Sequence, residues 1–325
     1  MSRRTVLVTG GGGFVGQALA KGFAGLGWHV IAVDRSFDDS PGMEGIQQVV
    51  TDLAEGVPEE APAVEVVVHG AWYTGDPVSP GIPMAEYLSV NVRPLLAALE
   101  FATRSRAASF VFLSSSGVFG PHDGEEGLTD ADRPTGASPY SVGKRVCEDL
   151  VAAALDTFPD VETTAYVVRL GYLYGLDERP RPTRPGVSVV ARWLDAAREG
   201  RPLEVPSEGP LRDWTFAPDL APALERLVDG PSAGHPIHLA SPFVLRDRAL
   251  AELLASQLPG TEVITVPAGP EGRPFTKPPM VPSDVSALRD FPWTGPMTGL
   301  HAVLGAETDL LNSLGPSRAA GGAPE

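Results

Sequence analysis

The chain has 325 residues, 43% of them hydrophobic and 20% charged, with a formal net charge of −16 at pH 7. Those values describe a globular protein with one large domain, or a large domain and a smaller lobe. The excess of carboxylates argues against nucleic acid or an anionic membrane as partner, because both need a basic face; a few placed arginines still suffice for a small anionic ligand.

The first apolar run, residues 6–8, reads as a buried strand, and 16–26 as a helix with Leu19, Phe23 and Leu26 on its apolar side. Strand-like runs follow at 29–33, 64–68 and 110–113, with a helix over 88–103 between the last two; 140–154 is again helical and 164–169 strand-like. Continuous Val/Ile runs separated by helices predict an α/β fold, a doubly wound parallel sheet of the Rossmann type, over residues 1–172. Beyond 172 the texture changes: Pro and Arg crowd 177–185, short helices are expected at 188–199 and 219–228, and 237–240 reads as a strand returning to the sheet. Residues 173–314 are expected to form mainly a smaller, substrate-binding lobe over the strand ends, and 315–325, rich in Gly, Ala, Pro and Ser, a disordered tail. A single cysteine, Cys147, excludes a disulfide framework and a thiolate metal site, and it fits a reducing cytoplasm. The six histidines show no metal-ligand spacing, so no metal is expected, and no run reaches the roughly 20 apolar residues of a membrane span.

Thr9-Gly-Gly-Gly-Gly-Phe-Val-Gly16 lies between the first strand and the first helix. Glycine is needed there for the tight turn, for close approach to a pyrophosphate and for helix–strand packing, while the helix N-terminus offers N–H groups to the phosphates. Two frames fit, Gly10/Gly13/Gly16 and Gly11/Gly13/Gly16. Asp34, ending the second strand, has the spacing of a ribose 2′-hydroxyl ligand. It favours NAD, since a carboxylate repels a 2′-phosphate; the adjacent Arg35 keeps NADP open. Asp52-Leu53 either meets the adenine edge or is a solvated turn.

Tyr140 and Lys144 are four residues apart on a helix and share a face. An ammonium near a phenol favours the phenolate, which makes the tyrosine a usable acid/base. Ser114-Ser-Ser-Gly-Val-Phe-Gly120 begins where a parallel strand ends, the edge at which such sheets bind ligands.

Taken in order, these segments resemble the extended short-chain dehydrogenase/reductase family, its NAD-dependent sugar epimerase/dehydratase group. Val68-His-Gly-Ala71, Asn91, Tyr140-Ser-Val-Gly-Lys144, Arg169-Leu-Gly-Tyr-Leu-Tyr-Gly175 and Arg212-Asp-Trp-Thr-Phe-Ala-Pro-Asp219 carry the resemblance further, to about residue 220. It implies Ser115 as the catalytic hydroxyl, Tyr140 as acid/base, and Lys144 as the residue that tunes Tyr140 and holds the nicotinamide ribose. It also implies cofactor contacts at Phe14, Val15, Ala71, Asn91, Leu170 and Leu173, and a homodimer through two sheet-flanking helices. Substrate contacts are expected at Ser115, Ser116 and Tyr172, with Arg212 and Arg273 where the family holds a pyrophosphate.

The chain departs from the family in the substrate half. Ser116-Gly117 stand where 4,6-dehydratases carry an Asp-Glu pair, Tyr172 replaces a common Asn, Trp72 a small residue, and Pro94-Leu95 a Gly-Thr. Arg179, Arg181 and Arg184 either close over an anionic substrate or belong to a solvated loop stiffened by prolines. The resemblance therefore implies NAD-dependent hydride chemistry on a secondary alcohol of a sugar-type substrate, a nucleotide-sugar epimerase first. A dehydrogenase of a free sugar, sugar acid or other small hydroxy compound stands second, and a non-catalytic dinucleotide sensor third.

Overall fold

In chain order, β1 (Thr5–Thr9), α1 (Phe14–Gly25), β2 (His29–Asp34), β3 (Gln47–Val50) and β4 (Val66–His69) lead into the long α2 (Met84–Ser105). Then come β5 (Ser109–Ser115), α3 (Pro139–Asp156), β6 (Thr164–Leu170), β7 (Tyr172–Tyr174), α4 (Val189–Arg198), β8 (Leu203–Pro206) and β9 (Leu211–Phe216). The chain closes with α5 (Leu220–Val228), β10 (Ile237–Leu239), β11 (Val244–Arg246), α6 (Asp247–Ala255), β12 (Val263–Val266) and α7 (Pro296–Ser313). This computed structural model describes residues 3–38, 40, 42–57, 63–75, 82–124, 126–156, 162–207, 209–267 and 277–313. Residues 315–325, expected to be a disordered tail, lie outside them.

Seven strands form one sheet in the order β10-β6-β5-β4-β1-β2-β3, and every pairing in it is parallel. The apolar runs have a plain cause: successive residues point to opposite faces, and both faces are covered. Val6 and Val8 join one core with Phe23 of α1 and Leu220 and Leu224 of α5. Leu7 and Ile31 join the other with Leu95 and Leu99 of α2 and Cys147 and Val151 of α3. Strand order reverses between β1 and β4, and a crevice opens there at the carboxyl ends of the strands.

The second half of the chain does not stay on one side of that crevice. β7, β9 and β11 make a three-stranded sheet, and β8 with β12 a two-stranded one, around Tyr174, Trp193, Trp214, Leu250 and Leu300. The intervening α5 and β10 return to the main sheet. Gly22 of α1 has so little room that a Cβ would come within 2.5 Å of the Ala221 side chain. The lobe is therefore built from two separated stretches.

Several elements differ from expectation. β3 escapes an apolar count because it is an edge strand with Gln47, Gln48 and Val50 exposed. β7, β11 and β12 are three or four residues long, too short to show a period. α2 starts earlier than 88 and runs through Pro94, which has no N–H for the helix ladder. Both Val90 and Pro94 line the crevice. Among the described residues, no helix is long and apolar enough to cross a membrane.

Candidate active site

The glycine turn is forced by space. Gly10 has a φ of 71°, and a Cβ there would meet the Ala71 amide nitrogen at 2.8 Å. A Cβ on Gly16 would lie 1.9 Å from the Gly10 carbonyl oxygen, so strand, turn and helix close up only without side chains. Gly10 therefore makes the turn, which selects the frame Gly10/Gly13/Gly16. Gly13 caps α1 without a side-chain hydrogen bond, which leaves first-turn N–H groups for a ligand.

Asp34 is held by two amides: Gly12 N–H donates to Oδ2 at 3.0 Å, and Arg35 N–H to Oδ1 at 2.7 Å. Arg35 lies 3.9 Å from Asp52, whose carboxylate accepts from the Ala54 amide at 2.9 Å and so caps the short turn Leu53–Glu55. All of Asp34, Arg35, Asp52 and Leu53 line the crevice, as do Gly10, Gly13, Phe14, Val15, Gly16, Ala71, Leu170 and Leu173. At about 700 Å³ it is roomy. A glycine cradle that a Cβ would fill, uncapped helix N–H groups and a fixed carboxylate beside the turn suit a dinucleotide.

Asn91, expected at a cofactor position, has its side chain engaged by backbone groups of the protein. It is 1% exposed, its Oδ1 accepts from the Tyr73 amide at 2.7 Å, and its Nδ2 donates to the Tyr87 carbonyl at 3.0 Å. It does not line the crevice but shapes the loop after β4 that does.

Ser115, Tyr140 and Lys144 converge on the crevice wall. Ser115 ends β5 and accepts from the Gly117 amide at 2.9 Å. Tyr140 fits because residue 117 is glycine: a Cβ there would stand 2.7 Å from the Tyr140 ring. The Lys144 ammonium donates to the Leu113 carbonyl at 2.8 Å and sits 3.8 Å from the Trp72 ring centroid; the same indole meets Tyr140 edge-on at 6.0 Å. Burial pushes Tyr140 above its ordinary value, against smaller opposing effects of Ser115 and Arg184. Burial also pushes Lys144 down to about 7. Beneath them, Glu148 of α3 accepts from Arg169 of β6 at 3.0 and 2.8 Å and from the Ser114 hydroxyl at 2.5 Å, all buried. Neither Glu148 nor this role for Arg169 was legible from motif spacing.

On the substrate side, Tyr172 and Ser116 line the crevice, but Arg212 does not. Its guanidinium binds Asp247 at 2.7 and 3.2 Å and stacks 4.2 Å from the Tyr172 ring centroid. The cation expected to meet a pyrophosphate is thus committed to a carboxylate behind the wall. Arg273 lies outside the described residues. The Arg/Pro-rich segment is an ordered strap. Arg181 and Arg184 exchange backbone hydrogen bonds at 3.0 and 2.9 Å, and Lys21 binds Asp177 at 2.6 Å. The Arg181 guanidinium donates to the Gly12 and Ser36 carbonyls, 4.0 Å from Asp34, and Thr183 O accepts from the Thr74 amide at 2.8 Å. Lys277 also lines the crevice, a position no sequence pattern singled out.

Fold and site together define a Rossmann-type dinucleotide-binding protein with a Ser/Tyr/Lys set at the strand ends. A model of the NAD dependent epimerase/dehydratase family matches residues 6–240, and the chain belongs to that family, one of NAD-dependent enzymes. UDP-glucuronic acid decarboxylase 4 of Arabidopsis thaliana is 30% identical over 252 residues, 73% of this chain and 53% of its own. The chain thus spans about half the length of that relative. 2'-Dehydrokanamycin reductase of Streptomyces kanamyceticus is 27% identical over 334 residues, covering 98% of this chain and 81% of its own. A solved structure of MoeE5 in complex with UDP-glucuronic acid and NAD matches in fold, with a TM-score of 0.75 at 24% identity, over 94% of this chain and 99% of that one.

Proposed function

We propose that the chain is an NAD-dependent enzyme acting by hydride transfer on a secondary alcohol of a sugar-type substrate, a nucleotide sugar in first place. The observation that carries this is the convergence of Ser115, Tyr140 and Lys144 on a crevice also lined by Gly10, Gly13 and Asp34. Bound there, a nicotinamide would accept the hydride from the alcohol carbon and, in an epimerase, return it. Ser115 holds the alcohol oxygen and Tyr140 takes its proton, against the burial that opposes the phenolate. Lys144 and the α1 N-terminus hold the cofactor, and Asp34 supports NAD over NADP. Ser116 and Gly117, neither of them a carboxylate, follow Ser115 directly, which speaks against 4,6-dehydration.

A second reading, oxidation or reduction of a free sugar, a sugar acid or another small hydroxy compound, is favoured by one observation. Arg212 is paired with Asp247 and screened by Tyr172, so the expected diphosphate contact is spent. A homodimer through α2 and α3, which expose Leu96 and Val146, belongs to the same proposal. Purified protein with NAD should either release NADH or interconvert epimers on a panel of nucleotide sugars, free sugars and sugar acids. Tyr140→Phe should lower that rate by about 10²- to 10⁴-fold. Activity that survives the substitution would remove Tyr140 from the mechanism.

A further inference from the structure

Lys277 is 5% exposed, although it belongs to an irregular stretch that leads to Met280. Its ammonium donates to the carbonyl of Ser116, the residue after Ser115, and lies 5.6 Å from the Tyr172 ring centroid. An ammonium carries three donors. Among the described residues no carboxylate stands within ion-pair distance of it.

The two carboxylates whose fields reach Lys277, those of Asp213 and Asp123, are occupied elsewhere. Asp213 accepts from the Met280 amide at 3.1 Å and the Tyr172 amide at 3.3 Å. Asp123 accepts from the Gly120 and Thr135 amides, both at 2.7 Å, and from the Thr135 hydroxyl. The other cation nearby, Arg212, is neutralised by Asp247. Burial pushes Lys277 down to about 8, against the pull of these carboxylates. A buried amine on the wall of the crevice, with no carboxylate in contact with it among the described residues, is costly until something supplies a contact counter-charge and further acceptors.

We propose that Lys277 is a specificity-determining residue that pairs with a carboxylate carried by the substrate beside the alcohol held at Ser115. The substrate class is therefore a sugar acid, nucleotide-linked or free. A neutral hydroxyl would fill a hydrogen-bond site but leave the ammonium without a contact counter-ion, whereas a carboxylate supplies both. The inference rests on the proposed function only for the location of the substrate, and binding tests it without turnover.

The test is calorimetric titration of the full chain, loaded with NAD, against UDP-glucuronic acid and UDP-glucose, and against free glucuronate and glucose. Within one pair at least, the acid should bind about 10- to 100-fold more tightly than its neutral partner. Lys277→Met and Lys277→Gln should erase that ratio while leaving the neutral ligand's affinity in place, and Lys277→Arg should keep part of it. Tyr140→Phe should leave the ratio intact, which separates a failure of this assignment from a failure of the catalytic one. The assignment is overturned if the wild type shows no preference for an acid or binds neither one. It is equally overturned if both Met and Gln variants weaken acid and neutral ligands alike, or fail to fold while Lys277→Arg shows no preference, since Lys277 would then serve only to hold the end of β5.

Discussion

Gly117 shows how one missing methyl group sets the geometry of the proposed catalytic pair, Ser115 and Tyr140. Its Cβ would lie 2.7 Å from the Tyr140 ring and 3.2 Å from the Ser115 hydroxyl, side-chain rather than backbone atoms. Gly117→Ala should therefore fold with little change in Tm while Tyr140 swings off Ser115. Misplacement of about 1 Å costs on the order of 100-fold in rate, so kcat should fall at least that far. An unchanged kcat would mean that Tyr140 has room to spare. Trp72 acts at the same scale: it is the family departure that touches the catalytic set most closely, through Lys144 and Tyr140.

At the level of elements, α3 is tied to the sheet by a buried ion pair. Glu148 lies one helical turn beyond Lys144, and it joins Arg169 of β6 and Ser114 of β5, all of them 5% exposed or less. Removing one partner strands a buried charge, which costs about 3–5 kcal/mol, whereas replacing both with apolar groups of similar size costs far less. Urea unfolding should accordingly rank Glu148→Leu and Arg169→Met as strongly destabilising and their double substitution as milder than either. If the two losses simply add, the pair is not acting as a unit. If Tyr140 and Lys144 act as proposed, its place beneath Ser115 and Lys144 makes it a positioning device for the helix that carries them.

Across the whole molecule, the buried lysines predict a direction for stability against pH. Lys144 is pushed down to about 7 and Lys277 to about 8, from an ordinary value of 10.5. Between those values and 10.5 the unfolded chain binds more protons than the folded one, so stability rises with pH in this window. Cys147, pushed up to about 11 from 9.0, opposes the trend above pH 9. Calorimetry should show Tm climbing from pH 7 to 9, with a smaller climb in Lys277→Met. A flat or falling Tm over that window would mean that both amines are hydrated. The strap over residues 177–185 belongs to this scale too, since Lys21, Gly12, Ser36 and Thr74 hold it to three separate parts of the main domain.

The sequence by itself determined the parallel sheet, the glycine turn, Asp34, and the placement of Ser115, Tyr140 and Lys144. Each of these follows from local order: apolar runs, residues next to one another at a turn, or a spacing of one helical turn. Tertiary structure decided what required distant segments to meet. It turned Arg212 toward Asp247, 35 positions away, and took Asn91 out of the crevice to serve the Tyr73 amide. It laid Arg181 across Gly12 from 169 positions on, and buried Lys277 against Ser116 across 161. Whether a charged side chain meets solvent, a counter-ion or an open crevice depends on which strands the chain brings together. No periodicity within a segment records that.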